Sequence, residues 1–125
     1  MPVTDHRAGR ARQAPPTVIA RCAGTSGVRE VRAGMEEEGV PLRVEDGAGT
    51  ALELAFAAAR ASSLGVGIGL DATTVCVHHA KRPQDSPVLT AALVHARLCG
   101  HNAARLVVGL PLKALSQKEE MWPDN

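Results

Sequence analysis

Leu64-Gly65-Val66-Gly67-Ile68-Gly69-Leu70-Asp71, running on through Ala72 into Thr73-Thr74-Val75-Cys76-Val77, decides how the rest of the chain is read. Its glycines alternate with Val66, Ile68 and Leu70, so the first segment is a strand with one face stripped of side chains. The second segment is a strand after a tight turn at Asp71-Ala72. Two strands joined by so short a link are antiparallel. The glycine spacing is not Gly-x-Gly-x-x-Gly, and the stretch does not lie in a strand-to-helix turn, which excludes the dinucleotide-binding fingerprint. A bare glycine face marks close approach by a helix, or by a ligand or partner backbone, and the expectation here is a helix.

Working outward toward the start of the chain, Thr17 to Cys22 is short and β-branched, bounded by Pro15-Pro16 and Gly24, and reads as a first strand. From Ser26 to Glu38 the period changes: Val28, Val31 and Met35 fall at i, i+3 and i+7, with Ser26 as the expected N-cap and Gly39 as the C′ residue. Val40 to Asp46 alternates as a second strand. Thr50-x-x-Glu53 is a capping box opening a second helix, whose stripe Leu52, Ala55, Phe56 and Ala59 is expected to face the core up to about Ser62.

Beyond the hairpin, Lys81 to Ser86 is a polar link and Pro87 to Thr90 a fifth strand. A last helix follows, with the stripe Leu93, Ala96, Gly100, Ala103, Ala104 and Val107 packed on the sheet and Gly109 and Pro111 ending it. This order specifies a three-layer α/β/α domain on a five-stranded, mostly parallel mixed sheet with one antiparallel strand. We expect a single domain over 16–112, preceded by a disordered basic arm over 1–15 and followed by a loose polar tail over 113–125.

Composition narrows the function. The 125 residues are 45% hydrophobic but only 2% aromatic, with one Phe, one Trp and no Tyr, so little is available to stack on bases. A net charge of +1 also lacks the footprint of a nucleic-acid binder. Charge is instead uneven: residues 1 to 21 carry four Arg and one Asp, residues 30 to 53 seven acids and two Arg. Cys22, Cys76 and Cys99 show no Cys-x-x-Cys spacing, which fits a reducing cytoplasm better than a disulfide framework or a thiolate metal site. No apolar run reaches the roughly 20 residues of a membrane span, and the start of the chain lacks a signal's apolar core. Cys76, His78 and His79 alternate across a strand, and His95 and Cys99 form a pair without visible further ligands; neither set assembles a metal site, and no catalytic order emerges.

The feature left over is Glu36-Glu37-Glu38, three carboxylates where the first helix ends. A helix C-terminus carries partial negative charge and favours cations. In helical phase Glu30, Ala33, Gly34 and Glu37 point away from the apolar stripe, Glu37 being the most outward acid. Two small residues between two carboxylates would let a basic or metal-bearing surface approach the backbone; an ordinary solvated face is the other reading, and the one given to Glu36 and Glu38.

Gly34-Met35-Glu36-Glu37-Glu38-Gly39-Val40-Pro41, Val66-Gly67-Ile68-Gly69-Leu70-Asp71 and Gly100-His101-Asn102-Ala103-Ala104-Arg105-Leu106-Val107-Val108-Gly109-Leu110-Pro111, in this order and spacing, resemble the small (beta) subunit of the diol/glycerol dehydratase-reactivating factor. The resemblance runs from Thr17 to Leu115. It implies a fold similar to the dehydratase medium subunit and a non-catalytic, chaperone-like role. The small subunit exchanges with the medium subunit of an adenosylcobalamin-dependent diol or glycerol dehydratase, so that damaged cobalamin leaves. ATP hydrolysis would belong to a large actin-like partner subunit, in an assembly of two large and two small chains, and the dehydratase large subunit would be met during exchange. By motif position, Glu37 would reach a divalent metal, Mg or Ca, held mainly by the large subunit, with no cobalamin bound by this chain alone. The expected location is cytoplasmic, with association to a bacterial microcompartment as a further expectation. The same phrases occur in dehydratase medium subunits, so the alternative is the medium subunit itself, contributing to cobalamin binding. The 16 or so residues before the first strand favour the reactivating factor, because a medium subunit usually carries a long N-terminal extension. A stand-alone small-molecule-binding domain is a third expectation. Diol versus glycerol client, self-association, and the roles of the arm and of Cys76, His78, His79, His95 and Cys99 stay open.

Overall fold

The computed structural model describes residues 15–114, so the arm expected over 1–15 lies outside them except for Pro15, and the tail expected over 113–125 except for Lys113 and Ala114. Within that span, five strands form one sheet in the order β2-β1-β3-β4-β5: β1 Val18–Cys22, β2 Leu42–Asp46, β3 Val66–Leu70, β4 Thr74–His79 and β5 Leu89–Ala92. β1 pairs parallel with β2 and β3, while β4 runs antiparallel to both β3 and β5. Only β4 is therefore reversed, as the short Asp71-Ala72 link requires. Helices α1 (Val28–Glu38) and α3 (Ala96–Val108, entered through a 3-10 turn at Leu93–His95) cover one face, and α2 (Ala51–Ala61) the other.

The larger core lies under α1 and α3, where Val18, Ala20, Val66, Ile68, Val75 and Val77 meet Val31, Met35, Ala96, Cys99 and Ala103. On the other face the stripped side of β3 receives α2. A Cβ added at Gly67 would lie 2.1 Å from the Ala59 backbone nitrogen, and one at Gly69 2.1 Å from the Ala51 carbonyl oxygen. The glycine face is thus a seat for a helix, as expected, and the small side chains Ala51, Ala55, Ala58 and Ala59 are what let α2 sink into it. This corrects the phase read for α2: Leu52 and Phe56 sit at the flank, half-buried, because the deepest contact is backbone on backbone and admits only alanine.

The capping box forms as expected, with the Thr50 hydroxyl accepting from Glu53 N at 3.1 Å and Glu53 accepting from Thr50 N at 3.0 Å. Asp71 then ties the hairpin turn to this helix end. Its carboxylate accepts from Ala51 N at 2.9 Å and from the backbone N–H groups of Thr73 and Thr74, and these bonds, Thr73 first, hold its pKa below the usual carboxylate range.

Two boundaries differ from expectation. Gly27, not Ser26, caps α1: its left-handed φ of 80° carries the chain close over the sheet, where a Cβ would meet Leu70 at 2.8 Å, and no side-chain cap forms. The fifth strand runs Leu89–Ala92 rather than Pro87 to Thr90: Pro87 has no N–H to give, and the first bond to β4 is from Val88 N to the Val77 carbonyl at 2.9 Å. No helix among the described residues is long and apolar enough to cross a membrane.

A Gly67→Ala substitution should lower the urea unfolding free energy by at least about 2 kcal/mol, since the atoms in the way are backbone and cannot rotate aside. An equal loss of stability at the exposed glycine Gly24, where an added Cβ meets nothing within 4 Å, would show that glycine entropy and φ rather than packing sets the cost.

Candidate partner-facing site on the seam of helices α1 and α3

α1 and α3 touch backbone to backbone. A Cβ at Gly34 would lie 2.2 Å from the Arg97 carbonyl oxygen, and one at Gly100 2.4 Å from the Val31 carbonyl oxygen. Gly34 is therefore buried inside the domain. This corrects its expected place on the outward face with Glu30, Ala33 and Glu37: the small residue admits the chain's own helix, and Ala33 is half-buried beside it. The register climbs along both helices, from Glu30 opposite Arg97 to Glu38 opposite Arg105, so they run in the same direction.

Close approach lets Arg97, His101 and Arg105, spaced four residues apart on one face of α3, meet the acids at the end of α1. Arg97 pairs with both oxygens of Glu37, its Nε donating at 3.2 Å to Oε1 and its terminal nitrogen to Oε2, and its other nitrogen lies 3.6 Å from Glu30. The His101 ring bridges the two acids, Nε2 at 2.7 Å from Glu37 Oε1 and Nδ1 at 2.6 Å from Glu38 Oε2. A carboxylate only accepts, so both contacts together need a proton on each ring nitrogen. Arg105 Nε donates to Glu38 at 3.0 Å, and the same guanidinium reaches the Pro111 carbonyl.

This ladder answers the carboxylates at the wrong helix end: the cations that a C-terminus favours are supplied by the neighbouring helix. The Arg97 guanidinium, then His101, hold Glu37 below the usual carboxylate range; His101 and then Arg105 do the same for Glu38; and Glu37 in turn raises Arg97. Glu38 is therefore not the solvated charge expected for it, its side chain being only 13% exposed against His101 and Arg105. Glu36 is exposed, as expected. Glu37 keeps a 41% exposed side chain at the rim of the seam.

The basic partners lie some 60 residues from the acids in sequence, beyond any local window, and the signal they leave is the four-residue repeat of Arg97, His101 and Arg105 on one helix face. Asn102 is buried and holds the exit of the chain, donating to the Lys113 carbonyl at 2.9 Å and accepting from Lys113 N at 2.7 Å.

The remaining polar candidates are structural. His78 is buried edge-on to Phe56, with Nε2 donating to the Gln84 carbonyl at 3.0 Å and Nδ1 accepting from His79 N. Cys76 accepts from the Thr90 hydroxyl, and burial pushes the Cys99 thiol up to about 12, away from the thiolate form. Among the described residues no three His, Cys, Asp or Glu side chains gather to hold a metal.

Fold and seam define a three-layer α/β domain whose two helices on one face are locked by a charge ladder. The profile of the dehydratase medium subunit family matches residues 16–113, and the chain belongs to that family. It is 41% identical over 113 residues to the small subunit of the diol dehydratase-reactivating factor of Klebsiella michiganensis, covering 84% of this chain and 89% of that one. To the propanediol dehydratase-reactivating factor small subunit of Salmonella typhimurium it is 42% identical over 106 residues, covering 79% and 88%. Among solved structures, the diol dehydratase-reactivating factor complexed with ADP and Mg2+ superposes with a TM-score of 0.72 at 40% identity, over 82% of this chain and 100% of that one. A glycerol dehydratase reactivase gives 0.75 at 36%, over 80% and 98%.

Because Glu37, Glu38 and Asp71 have folded-state pKa values below their unfolded ones, they stabilise fully above the ordinary carboxylate range, and that contribution is lost as pH falls through the depressed values. Thermal midpoints followed by circular dichroism should therefore hold steady down to about pH 5 and fall progressively below it. Glu38→Gln should show a shallower acid fall than the parent, with its midpoint already lower at pH 7. An unchanged acid profile in the variant would remove Glu38 from the seam's charge balance.

Proposed function

We propose that this chain is the non-catalytic small subunit of an ATP-dependent, chaperone-like reactivating factor. It would exchange with the medium subunit of an adenosylcobalamin-dependent diol or glycerol dehydratase and so release damaged cobalamin. The observation that carries this reading is the combination of a medium-subunit family match over residues 16–113 with reactivating-factor small subunits as relatives along most of their length. A domain of the same family as a subunit of the client presents a similar surface, and mass action then lets one take the other's place. ATP hydrolysis belongs, in this reading, to a large partner chain. The working assembly has two large and two small chains in the cytoplasm, with a microcompartment as a possible setting.

The metal expected at the interface with the large subunit, Mg or Ca, is tested by the seam itself. Glu37 offers one hard carboxylate at the rim, suited to either ion, and no cluster among the described residues completes a site. The residues fit a single ligand donated to a cation held by the partner. To donate it, Glu37 must give up part of its pairing with Arg97 and His101, and Glu30 stands next to Arg97 as a second acid to take up the guanidinium. Glu30, Ala33 and Glu37 are the proposed contact surface; Gly34 acts behind it, by letting α3 bring Arg97 to Glu37.

The test is co-expression with an actin-like ATPase chain from the same gene neighbourhood. Glu37→Gln should weaken the complex and reduce its dependence on added Mg2+ while leaving the far-UV spectrum of the isolated chain unchanged. Equal affinity with and without the metal, in both forms, would take Glu37 out of the interface. Recovery of a cobalamin-bearing complex with the dehydratase large subunit would instead support the medium-subunit reading that the family's name favours.

A further inference from the structure

We propose that the outer edge of β2 is the contact surface for a second copy of this chain, the two β2 strands pairing antiparallel about a two-fold axis at Val44. In the order β2-β1-β3-β4-β5 this strand ends the sheet, and its one neighbour is β1. The phase of its main chain follows from two bonds: Val18 N donates to the Pro41 carbonyl at 3.1 Å, and Gly47 N donates to the Cys22 carbonyl at 3.0 Å. In a parallel pair alternate residues serve the neighbour, so Pro41, Arg43, Glu45 and Gly47 turn their main chain to β1. Leu42, Val44 and Asp46 turn theirs the other way, and among the described residues those N–H and C=O groups have no partner. The opposite edge is less suited, because β5 is four residues long and runs straight into the 3-10 turn.

An open edge offers main-chain bonds to any strand, and the side chains decide which one it takes. With the axis at Val44, that residue and its copy form a hydrogen-bonded pair, and Leu42 pairs in the same way with Asp46 of the second copy. Between these, Arg43 lies opposite Glu45 of the second copy, once on each side of the axis. Those are the non-hydrogen-bonded positions, where side chains come closest and Cα atoms stand about 4.5 Å apart. An axis at Leu42 would set Arg43 against Pro41, and one at Asp46 would set that carboxylate against itself. The charges keep their present bonds in this pairing. Glu45 accepts at 3.0 Å from Arg21 Nε on one oxygen and at 3.0 Å from Arg43 Nε on the other, so the terminal nitrogens of both guanidinium groups still have hydrogens to give across the axis. Room exists on that face, because α2 lies over β1, β3 and β4 and leaves the β2 side to these three side chains. On the other face Leu42 and Val44 are only half-buried against the main core, and a second β2 covers them further. The contact is isologous and closes at two copies, joining two five-stranded sheets into one. It stands apart from the reactivase reading, since it uses neither a large subunit nor a dehydratase.

A strand of five residues makes a small interface, so the dimer is weak and forms at high concentration. Sedimentation equilibrium of the full chain should give a mass that climbs from 13.0 kDa toward twice that value as concentration rises. Over the same range, amide exchange followed by NMR should slow at Leu42, Val44 and Asp46. Arg43→Glu and Glu45→Arg should each stay monomeric, because each sets like charges opposite one another, while an equimolar mixture of the two variants should recover the dimer. Val44→Pro removes an outward N–H and no bond to β1, and it too should be monomeric, with circular dichroism showing every variant folded. A parent chain that stays at 13.0 kDa at all concentrations would overturn the proposal. So would an Arg43→Glu dimer as tight as the parent's, which would move the contact to another face. Exchange at Val44 that is equally slow at every concentration would also overturn it, by assigning the edge to a segment of the same chain.

Discussion

Backbone-to-backbone contact at glycine sets the spacing of all three layers. Gly67 and Gly69 seat α2 on one face of the sheet, and Gly34 and Gly100 press α1 against α3 on the other, each at a distance where a single added carbon would collide with main-chain atoms. A core with one Phe and no Tyr cannot fill wide gaps, so the elements must come together closely and let Ala, Val, Leu and Ile close what remains. The charge ladder depends on that spacing. Only helices this close let Arg97 and His101 span to Glu37 while His101 and Arg105 reach Glu38.

The ladder recasts the acid triplet. Carboxylates at the end of α1 are unfavourable for α1 alone and favourable for the pair, so the seam holds two groups of opposite cost in one place. Glu38 is spent on the fold, being nearly covered by His101 and Arg105, whereas Glu37 stays partly exposed at the rim.

Much of this was legible in the sequence where a local rule suffices. The hairpin followed from the shortness of Asp71-Ala72, the glycine seat from the alternation at Gly67 and Gly69, and the start of α2 from Thr50 and Glu53. Failures came where a distant contact decides. Gly34 was placed outward because helical phase knows only the sheet side of α1 and not the second helix beside it. Leu52 and Phe56 outranked Ala51 and Ala58 by hydrophobicity, yet the deepest contact excludes large side chains. Ser26 lost the cap to Gly27 because the chain there must pass close over Leu70 and Leu93. Glu38 and the Arg97, His101 and Arg105 face needed a pairing that no local window contains. The outward position of Glu37 survived, since it depends on phase alone.

The central claim is that this domain takes the place of a related subunit in a cobalamin enzyme. It is met most directly by incubating dehydratase inactivated with labelled cobalamin together with this chain, its large partner, ATP and Mg2+, then separating the complexes by size and following both label and chains. The account predicts that label leaves the enzyme only when both reactivating chains and ATP are present, and that this chain is recovered in complexes from which the medium subunit has gone. Label retained under all conditions, or label travelling with this chain, would contradict it.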